Sequence, residues 1–128
     1  MLPFSLVFRS GVPVFEQVVF AAKKASVAGQ LRPGDTFPSV RVLSQELRIN
    51  PNTAHKVVGT LVAEGLLEVR PGIGTVVSRA PAATRGQRRT LLREETERLV
   101  VEARKLSLDL QEVLDAVKDQ WDRLDRAP

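Results

Sequence analysis

Apolar residues recur at intervals of three and four positions through the first part of the chain, the spacing that gathers them on one face of a helix. The first stripe consists of Val14, Val18, Ala21, Ala22 and Ala25. Gly29 follows and suits a left-handed C-terminal cap, and Pro33 cannot continue the helix. A second, short helix is predicted after Ser39, a favoured N-cap residue, with inward positions at Val40, Leu43 and Leu47.

A third helix is predicted after Asn50, because asparagine is a favoured N-cap residue and Pro51 fits the first helical position. Gly65 ends this helix. Its inward stripe consists of Val57, Val58, Leu61 and Val62. Only a short turn around Ile49 separates the second helix from the third, and that arrangement is typical of a helix-turn-helix.

Two β-branched runs follow the third helix, LLEV at 66–69 and TVVS at 75–78. The residues between them, RPGIG, contain two glycines, so we expect a β-hairpin. A hairpin directly after a helix-turn-helix is a wing. The small, polar and basic stretch that begins at Arg79 contains Pro81 and Gly86 and predicts a linker at 79–87.

Two further helices are predicted from about Arg88 onward. The first carries a stripe of Leu92, Thr96, Leu99, Ala103 and Leu106. Asp109 and Glu112 have the spacing of a capping box at the start of the second. That helix has an apolar face of Leu110, Val113, Leu114, Val117, Trp121 and Leu124. The predicted fold is mainly α with a small β-hairpin (α+β): a winged helix-turn-helix at 1–78, the linker, and a two-helix tail at 88–128.

Composition narrows the chemistry available to this fold. The chain of 128 residues has no cysteine, which excludes disulfides and thiolate sites. It has a single histidine. No apolar run approaches the roughly 20 residues that span a bilayer, so we expect a soluble, cytoplasmic protein. Residues 1–88 carry 11 Lys/Arg against 5 Asp/Glu, a charge of +6, whereas residues 89–128 carry 8 against 10, a charge of −2. This asymmetry favours a polyanion partner for the first part.

Catalysis is not indicated by any motif. The PGIG loop has a strand on both sides and no GK[ST] after it, so it lacks the context of a nucleotide-binding loop. His55 is the only histidine, so no histidine-based metal cluster can form. Acidic residues from Asp109 onward step around a helix among basic ones, as on a solvated face. We therefore expect no enzyme activity, no cofactor and no metal.

Nucleic-acid binding fits the polar residues better. A helix that enters the major groove needs a polar first turn that can reach base edges. Asn50, Asn52, Thr53, His55 and Lys56 supply such a turn, and Ala54 is small enough for close approach. Arg70 and the glycine backbone of the hairpin tip would lie along the minor groove or the phosphates. An ordinary solvated helix end, and simple turn chemistry at Gly72 and Gly74, are the alternative interpretations.

The order of motifs resembles the GntR family of bacterial transcription regulators, and within it the small YtrA-like subfamily. The matching segments are VPVFEQ, GQLRPGDTFPSVRVLS and INPNTAHKVVGTLVAEGLLEVRPGIGTVV, over roughly residues 11–78. The resemblance implies a winged helix-turn-helix that binds palindromic double-stranded DNA as a homodimer. With the residue patterns above, it gives a candidate DNA-binding set of Ser39, Arg41, Asn50, Pro51, Asn52, Thr53, His55, Lys56, Arg70 and Gly72.

This sequence departs from the family pattern in three places. Family members commonly carry glycine where Arg48 stands, often arginine near Ala54 and His55, and frequently tyrosine where Phe15 stands. Arg48 could add a phosphate contact. The weaker base on the third helix could shift operator preference, and Phe15 is expected to be a packing substitution.

The tail is too short to enclose a metabolite as a separate domain would. Its apolar stripes have little surface of their own chain to cover, so burial against a second copy is expected. The predicted dimerisation residues are Leu92, Leu99, Leu106, Val113, Val117 and Trp121. A helical hairpin folded back on its own winged domain is the alternative, and a small-molecule effector is left open.

The leading hypothesis is a sequence-specific DNA-binding regulator, a repressor that acts as a homodimer on a palindromic operator. The competing hypothesis is a winged-helix module that binds protein while the DNA face is idle. Winged domains are not committed to DNA by their fold, and the tail is acidic and amphipathic. The positive charge of the first part argues for DNA.

Overall fold

The computed structural model describes residues 2–79 and 84–126. These residues form two compact units, an N-terminal unit before 80–83 and a C-terminal unit after it. The first unit contains three helices and a hairpin in the order α1 (Val14–Val27), α2 (Val40–Leu47), α3 (Pro51–Ala63), β1 (Leu67–Arg70) and β2 (Gly74–Val77). The predicted winged helix-turn-helix, mainly α with a small β-hairpin, is confirmed.

Small aliphatic side chains from all three helices and both strands form the core of this unit. The largest of the fully buried side chains are Leu43, Leu61, Leu67, Val18, Val57 and Val76. The predicted inward stripes of the three helices supply most of this core, although Val14 is exposed because it begins α1. Gly29 and Gly65 have φ near +83°, as expected of the residues that follow helix ends.

The wing is an antiparallel hairpin whose strands run one residue closer to the tip than predicted. Arg70 pairs with Gly74, so the predicted loop RPGIG shortens to the residues 71–73. At the base, Thr36 bridges to Val76, and the N–H of Phe37 donates to the carbonyl of Thr75 at 2.9 Å. The segment before α2 therefore lies beside β2 and holds the base of the wing to the helical core.

The N-terminal segment is part of the core, which the sequence patterns did not predict. Phe4 is buried and stacks on Phe37 with 6.1 Å between ring centroids. Gln17 is buried on α1 and accepts a hydrogen bond from the N–H of Arg9 at 2.9 Å. Its amide group donates to the carbonyls of Arg9 and Val12 at 3.0 and 2.8 Å. These three bonds satisfy the buried amide and tie the incoming chain to α1.

The C-terminal unit begins with a capping box. The Thr84 hydroxyl accepts from the N–H of Gln87, and the Gln87 side chain accepts from the N–H of Thr84. The helix therefore starts at Arg85, three residues earlier than predicted, and 85–87 are helical rather than linker. The centre of the predicted linker, 80–83, lies outside the described residues. The elements are α4 (Arg85–Arg89), a π-helical segment (Thr90–Glu95), α5 (Thr96–Lys105) and α6 (Leu110–Asp125).

The π-helical segment changes the predicted apolar stripe. The N–H and the hydroxyl of Thr96 both reach the carbonyl of Leu91, five residues back. A π turn holds about one residue more than an α turn, which is about 100° of helical rotation. Leu91, rather than Leu92, is therefore aligned with Thr96 and Leu99. The prediction for Leu92 assumed a continuous α-helix.

The second tail helix agrees with its prediction. The Asp109 carboxylate accepts from the N–H of Glu112 at 2.8 Å, and the Glu112 carboxylate accepts from the N–H of Asp109 at 2.9 Å. Most apolar side chains of this unit are exposed in the single chain; Ala103 is the buried one among those described. The tail helices therefore carry unburied apolar surface.

The end of α2 carries a strained residue. Arg48 is its C-cap and adopts φ 55° and ψ 47°, the left-handed conformation that side chains other than glycine disfavour. Glycine adopts this conformation without strain, which is the physical reason that the GntR pattern commonly has glycine at this position. The left-handed turn at Arg48 brings the N–H of Ile49 back to the carbonyl of Ser44, to which it donates at 3.1 Å. The chain can then turn into α3.

We expect Arg48→Gly to raise the free energy of unfolding by about 0.5–1 kcal/mol. The left-handed strain of about 1–2 kcal/mol is removed, and the extra chain entropy of glycine offsets part of it. Urea denaturation of Arg48→Gly and Arg48→Ala measures the effect. Arg48→Ala keeps the strain and should stay close to wild type. Equal stability of all three proteins would contradict strain at this residue.

Candidate nucleic-acid interface

Helix α3 has one face in the core and one in solvent. Ala54, Val57 and Leu61 have no exposed surface. The residues at three- and four-residue spacing on the other side are exposed: Asn52, His55, Lys56 and Gly59. Ala54 was expected to permit close approach to DNA, and that expectation is wrong, since its small side chain instead fits the packing of α3 on the core.

The two amide side chains at the start of α3 have different tasks. The Asn50 carbonyl oxygen accepts from the N–H of Asn52 at 2.7 Å and caps the helix. Asn52 itself is exposed, and its side chain has no hydrogen-bond partner among the described residues. Pro51 is exposed and Thr53 is half-buried. Asn52 is therefore the amide that is free to read a base edge, while Asn50 positions it.

Lys56 lies at the flank of the exposed face. Its ammonium nitrogen is 4.4 Å from the ring centroid of Phe15 on α1, a cation–π contact. The Phe15 ring packs against the core with one part of its surface. Its contact with Lys56 holds that ammonium group between α1 and α3. Lys56 contributes positive charge from a fixed position, whereas Asn52 and His55 point away from the core.

Helix α2 supplies cationic and backbone groups. Ser39 caps it by accepting from the N–H of Val42 at 3.2 Å, which leaves other first-turn N–H groups available to an anion. Arg41 is exposed in the same turn. Among the described residues, Arg41 and Arg48 have no ion-pair partner. Helix α3 contains no acidic residue. The start of α2 and the turn into α3 therefore each present an arginine side chain, and neither the first turn of α2 nor α3 contains an acidic residue.

The wing differs from the expected basic tip. Arg70 forms an ion pair with Glu68 on the same strand, with 2.9 Å between nitrogen and oxygen and both side chains about half exposed. Exposed pairs of this kind contribute about 0–1 kcal/mol, so DNA phosphates could still compete for Arg70. Gly72 has φ 79°, which suits the second central position of a type II turn after Pro71.

The acidic and histidine side chains in the described part of the chain do not gather into a metal site. No group of three or more His, Cys, Asp or Glu residues there could hold a metal ion. On α6, Lys118 pairs with Asp122 and Arg123 pairs with Asp119, at 3.2 and 3.0 Å. The acidic face of the tail is a solvated helix surface. Within 2–79 and 84–126, no helix has both the length and the apolar character to cross a bilayer.

The fold and the polar face of α3 define a winged helix-turn-helix protein of the kind that regulates transcription. Residues 17–77 match the family described as bacterial regulatory proteins, gntR family. The chain is 31% identical over 112 residues to the HTH-type transcriptional repressor YtrA of Bacillus subtilis, covering 87% of this chain and 86% of that protein. The chain belongs to the GntR family of DNA-binding transcription regulators and is YtrA-like; the family consists of regulators rather than enzymes.

Solved structures agree with the architecture. A transcriptional antiterminator from Listeria monocytogenes EGD-e superposes with a TM-score of 0.83 over 94% of this chain and 91% of its own, at 20% identity. The DNA-binding domain of AraR in complex with operator ORX1 superposes with a TM-score of 0.52 at 26% identity, over 59% of this chain and 96% of its own. The first match shows a common fold over both units. The second shows that part of this chain shares its fold with a domain whose structure was solved on operator DNA.

We expect Asn50→Ala to lower the free energy of unfolding by about 1 kcal/mol, because the N-cap bond to the Asn52 N–H is lost. Asn52→Ala should change it by less than about 0.5 kcal/mol, since the Asn52 side chain has no partner in the fold. Chemical denaturation measures both. Asn50→Ser, which keeps a capping oxygen, is the control. A stable Asn50→Ala protein would show that the cap contributes nothing.

Proposed function

We propose that this protein is a transcriptional repressor that binds a palindromic operator as a homodimer. In this proposal the N-terminal unit reads DNA, and the C-terminal unit joins two copies. The observation that carries it is the division of α3 into a fully buried face and an exposed polar face without acidic residues. The repressor role is supported by the relative from Bacillus subtilis, YtrA, which is a transcriptional repressor.

Base reading is assigned to Asn52 and His55, with Thr53 beside them. An exposed asparagine can bond the N6 and N7 atoms of adenine together, and a threonine can meet a thymine methyl group or a phosphate. Ser39 and Arg41 at the start of α2 are assigned to the phosphate backbone, which fixes register without reading sequence. Lys56, held over Phe15, adds positive charge at the flank of the exposed face of α3.

Dimerisation is assigned to the exposed apolar residues of the C-terminal unit. Trp121 is 71% exposed, and Leu99 and Val117 are nearly half exposed. A cleft of about 400 Å³ lies between α5 and α6, lined mainly by apolar side chains such as Val100, Leu108 and Val113. Apolar surface of this extent is normally covered in a soluble assembly. A second copy related by a two-fold axis covers the same surface on both chains.

A two-fold dimer calls for a palindromic operator. Each copy presents one α3 to one half-site, and half-sites about 34 Å apart lie on the same side of the duplex. The proposed interface keeps five of the predicted residues, Leu99, Leu106, Val113, Val117 and Trp121. Leu91 replaces the predicted Leu92, because the π-helical segment aligns Leu91 with Leu99.

We expect Asn52→Ala and Thr53→Ala to reduce the preference for operator over scrambled duplex by about 1–3 kcal/mol, the value of one specific base contact. Arg41→Ala should weaken binding to both duplexes and lower the slope of log affinity against log salt by about one. Fluorescence anisotropy on a duplex from upstream of the protein's own reading frame measures both. Wild-type behaviour of all three variants would contradict the assignment of α2 and α3.

We expect Leu99→Glu and Val117→Glu to convert the dimer to a monomer and to abolish tight operator binding, because each places a charge on the proposed interface. Analytical ultracentrifugation gives the mass. Trp121 is the single tryptophan, so its fluorescence should shift to the red when the variants separate. Lys118→Glu, on the solvated face of α6, is the matched control. A wild-type chain that sediments as a monomer at high concentration would overturn the proposed assembly.

A further inference from the structure

The wing tip is apolar in this protein. Its one cation, Arg70, is ion-paired with Glu68 on the same face of the same strand. Strands β1 and β2 with their loop contain no other charged residue, so the net charge of the hairpin is zero. The exposed side chains near the tip are Val69, Pro71 and Ile73, of which Val69 and Ile73 are 65% and 64% exposed.

The loop holds Ile73 at the tip without burying it. The N–H of Ile73 donates to the carbonyl of Arg70 at 3.1 Å and closes the turn through Pro71 and Gly72. The glycines on either side of Ile73 have φ of 79° and 111°, conformations that other residues rarely adopt. An added Cβ at either glycine would meet nothing within 4 Å. The tip therefore presents one large side chain between two positions with no side chain.

The position of the hairpin follows from α3. Residues 64–66 connect the two elements, and the Ser78 hydroxyl donates to the Gly65 carbonyl, so β2 is attached to the end of α3. If the start of α3 lies in the major groove, a hairpin fixed to its other end reaches the flanking backbone and the minor groove. Apart from Arg70, whose exposed pair with Glu68 can be broken by phosphates, the hairpin offers no cation to the DNA backbone, and the side chains exposed at its tip are apolar.

An isoleucine side chain in the minor groove would distinguish A·T from G·C base pairs. The groove floor of A·T pairs shows only acceptors, whereas a G·C pair adds the guanine N2 amino donor. An apolar side chain cannot accept a hydrogen bond, so it would strip water from this amino group without replacing it. Proteins that bind the minor groove use apolar side chains of this type against the bases.

We propose that Ile73 is a specificity-determining contact of the wing: it lies in the minor groove beside each half-site and disfavours G·C pairs there. This inference rests on the proposed DNA-reading function and adds to it a second reading element with a different chemistry. Helix α3 reads donors and acceptors in the major groove. The wing reads the absence of the guanine amino group.

The test uses the full-length protein and duplexes enriched by it from a random-sequence library. Hydroxyl-radical footprints of wild type and Ile73→Ala locate the sugars whose protection depends on Ile73. At those base pairs, A·T is replaced by G·C and by inosine·C, which lacks the amino group but keeps the major-groove edge of guanine. Wild type should bind the G·C duplex about fivefold more weakly, the lower end of the cost of one mismatched pair, and inosine should restore the affinity.

Ile73→Ala should bind all three duplexes within about twofold of one another. Val69→Ala removes an equally exposed side chain from the same hairpin and should keep the wild-type preference, which makes it the matched control. Identical footprints for wild type and Ile73→Ala, or a G·C penalty that inosine does not relieve, would overturn the role of Ile73. Asn52→Ala distinguishes failure of this inference from failure of the proposed function. If Asn52→Ala loses the preference for operator over scrambled duplex while Ile73→Ala keeps the wild-type preferences, only the inference about Ile73 fails. If wild type enriches no sequence, both proposals fail.

Discussion

The complete burial of Ala54, Val57 and Leu61 is the constraint on which the rest of the N-terminal unit depends. A helix has one period, so fixing these residues against the core determines which residues face solvent. The polar first turn is therefore presented outward by packing on the opposite side of the same helix. Any substitution that rotated α3 in the core would move every candidate reading residue at once.

Most of the fold was predictable because its signals are local. The caps at Ser39 and Asn50, the glycines after α1 and α3, and the capping box at Asp109 are each decided by a few adjacent residues. The N-terminal segment escaped prediction because its anchors are distant in sequence: Phe4 meets Phe37, and Gln17 bonds to chain that precedes α1. No periodic pattern marks such contacts.

The candidate site was predicted as a set of residues but not in its details. Polar type and spacing identified Asn52 and His55, because exposure follows from helix period. Which atoms are already engaged depends on neighbours. The cap at Asn50, the Lys56–Phe15 contact and the Arg70–Glu68 pair all change what a side chain can offer to DNA. The π turn at Thr96 was hidden for a similar reason, since the apolar spacing also fits a regular helix.

The base and the tip of the wing differ in how many segments support them. At the base, the segment 34–37 runs beside β2, with backbone bonds from Val77 to Asp35 and from Phe37 to Thr75. Beyond Thr75 only β1 and β2 pair with each other among the described residues. The segment that supports the base belongs to the loop between α1 and α2. We therefore expect a displacement of that loop to move the wing more than it moves α3, which packs on the core through its own buried face.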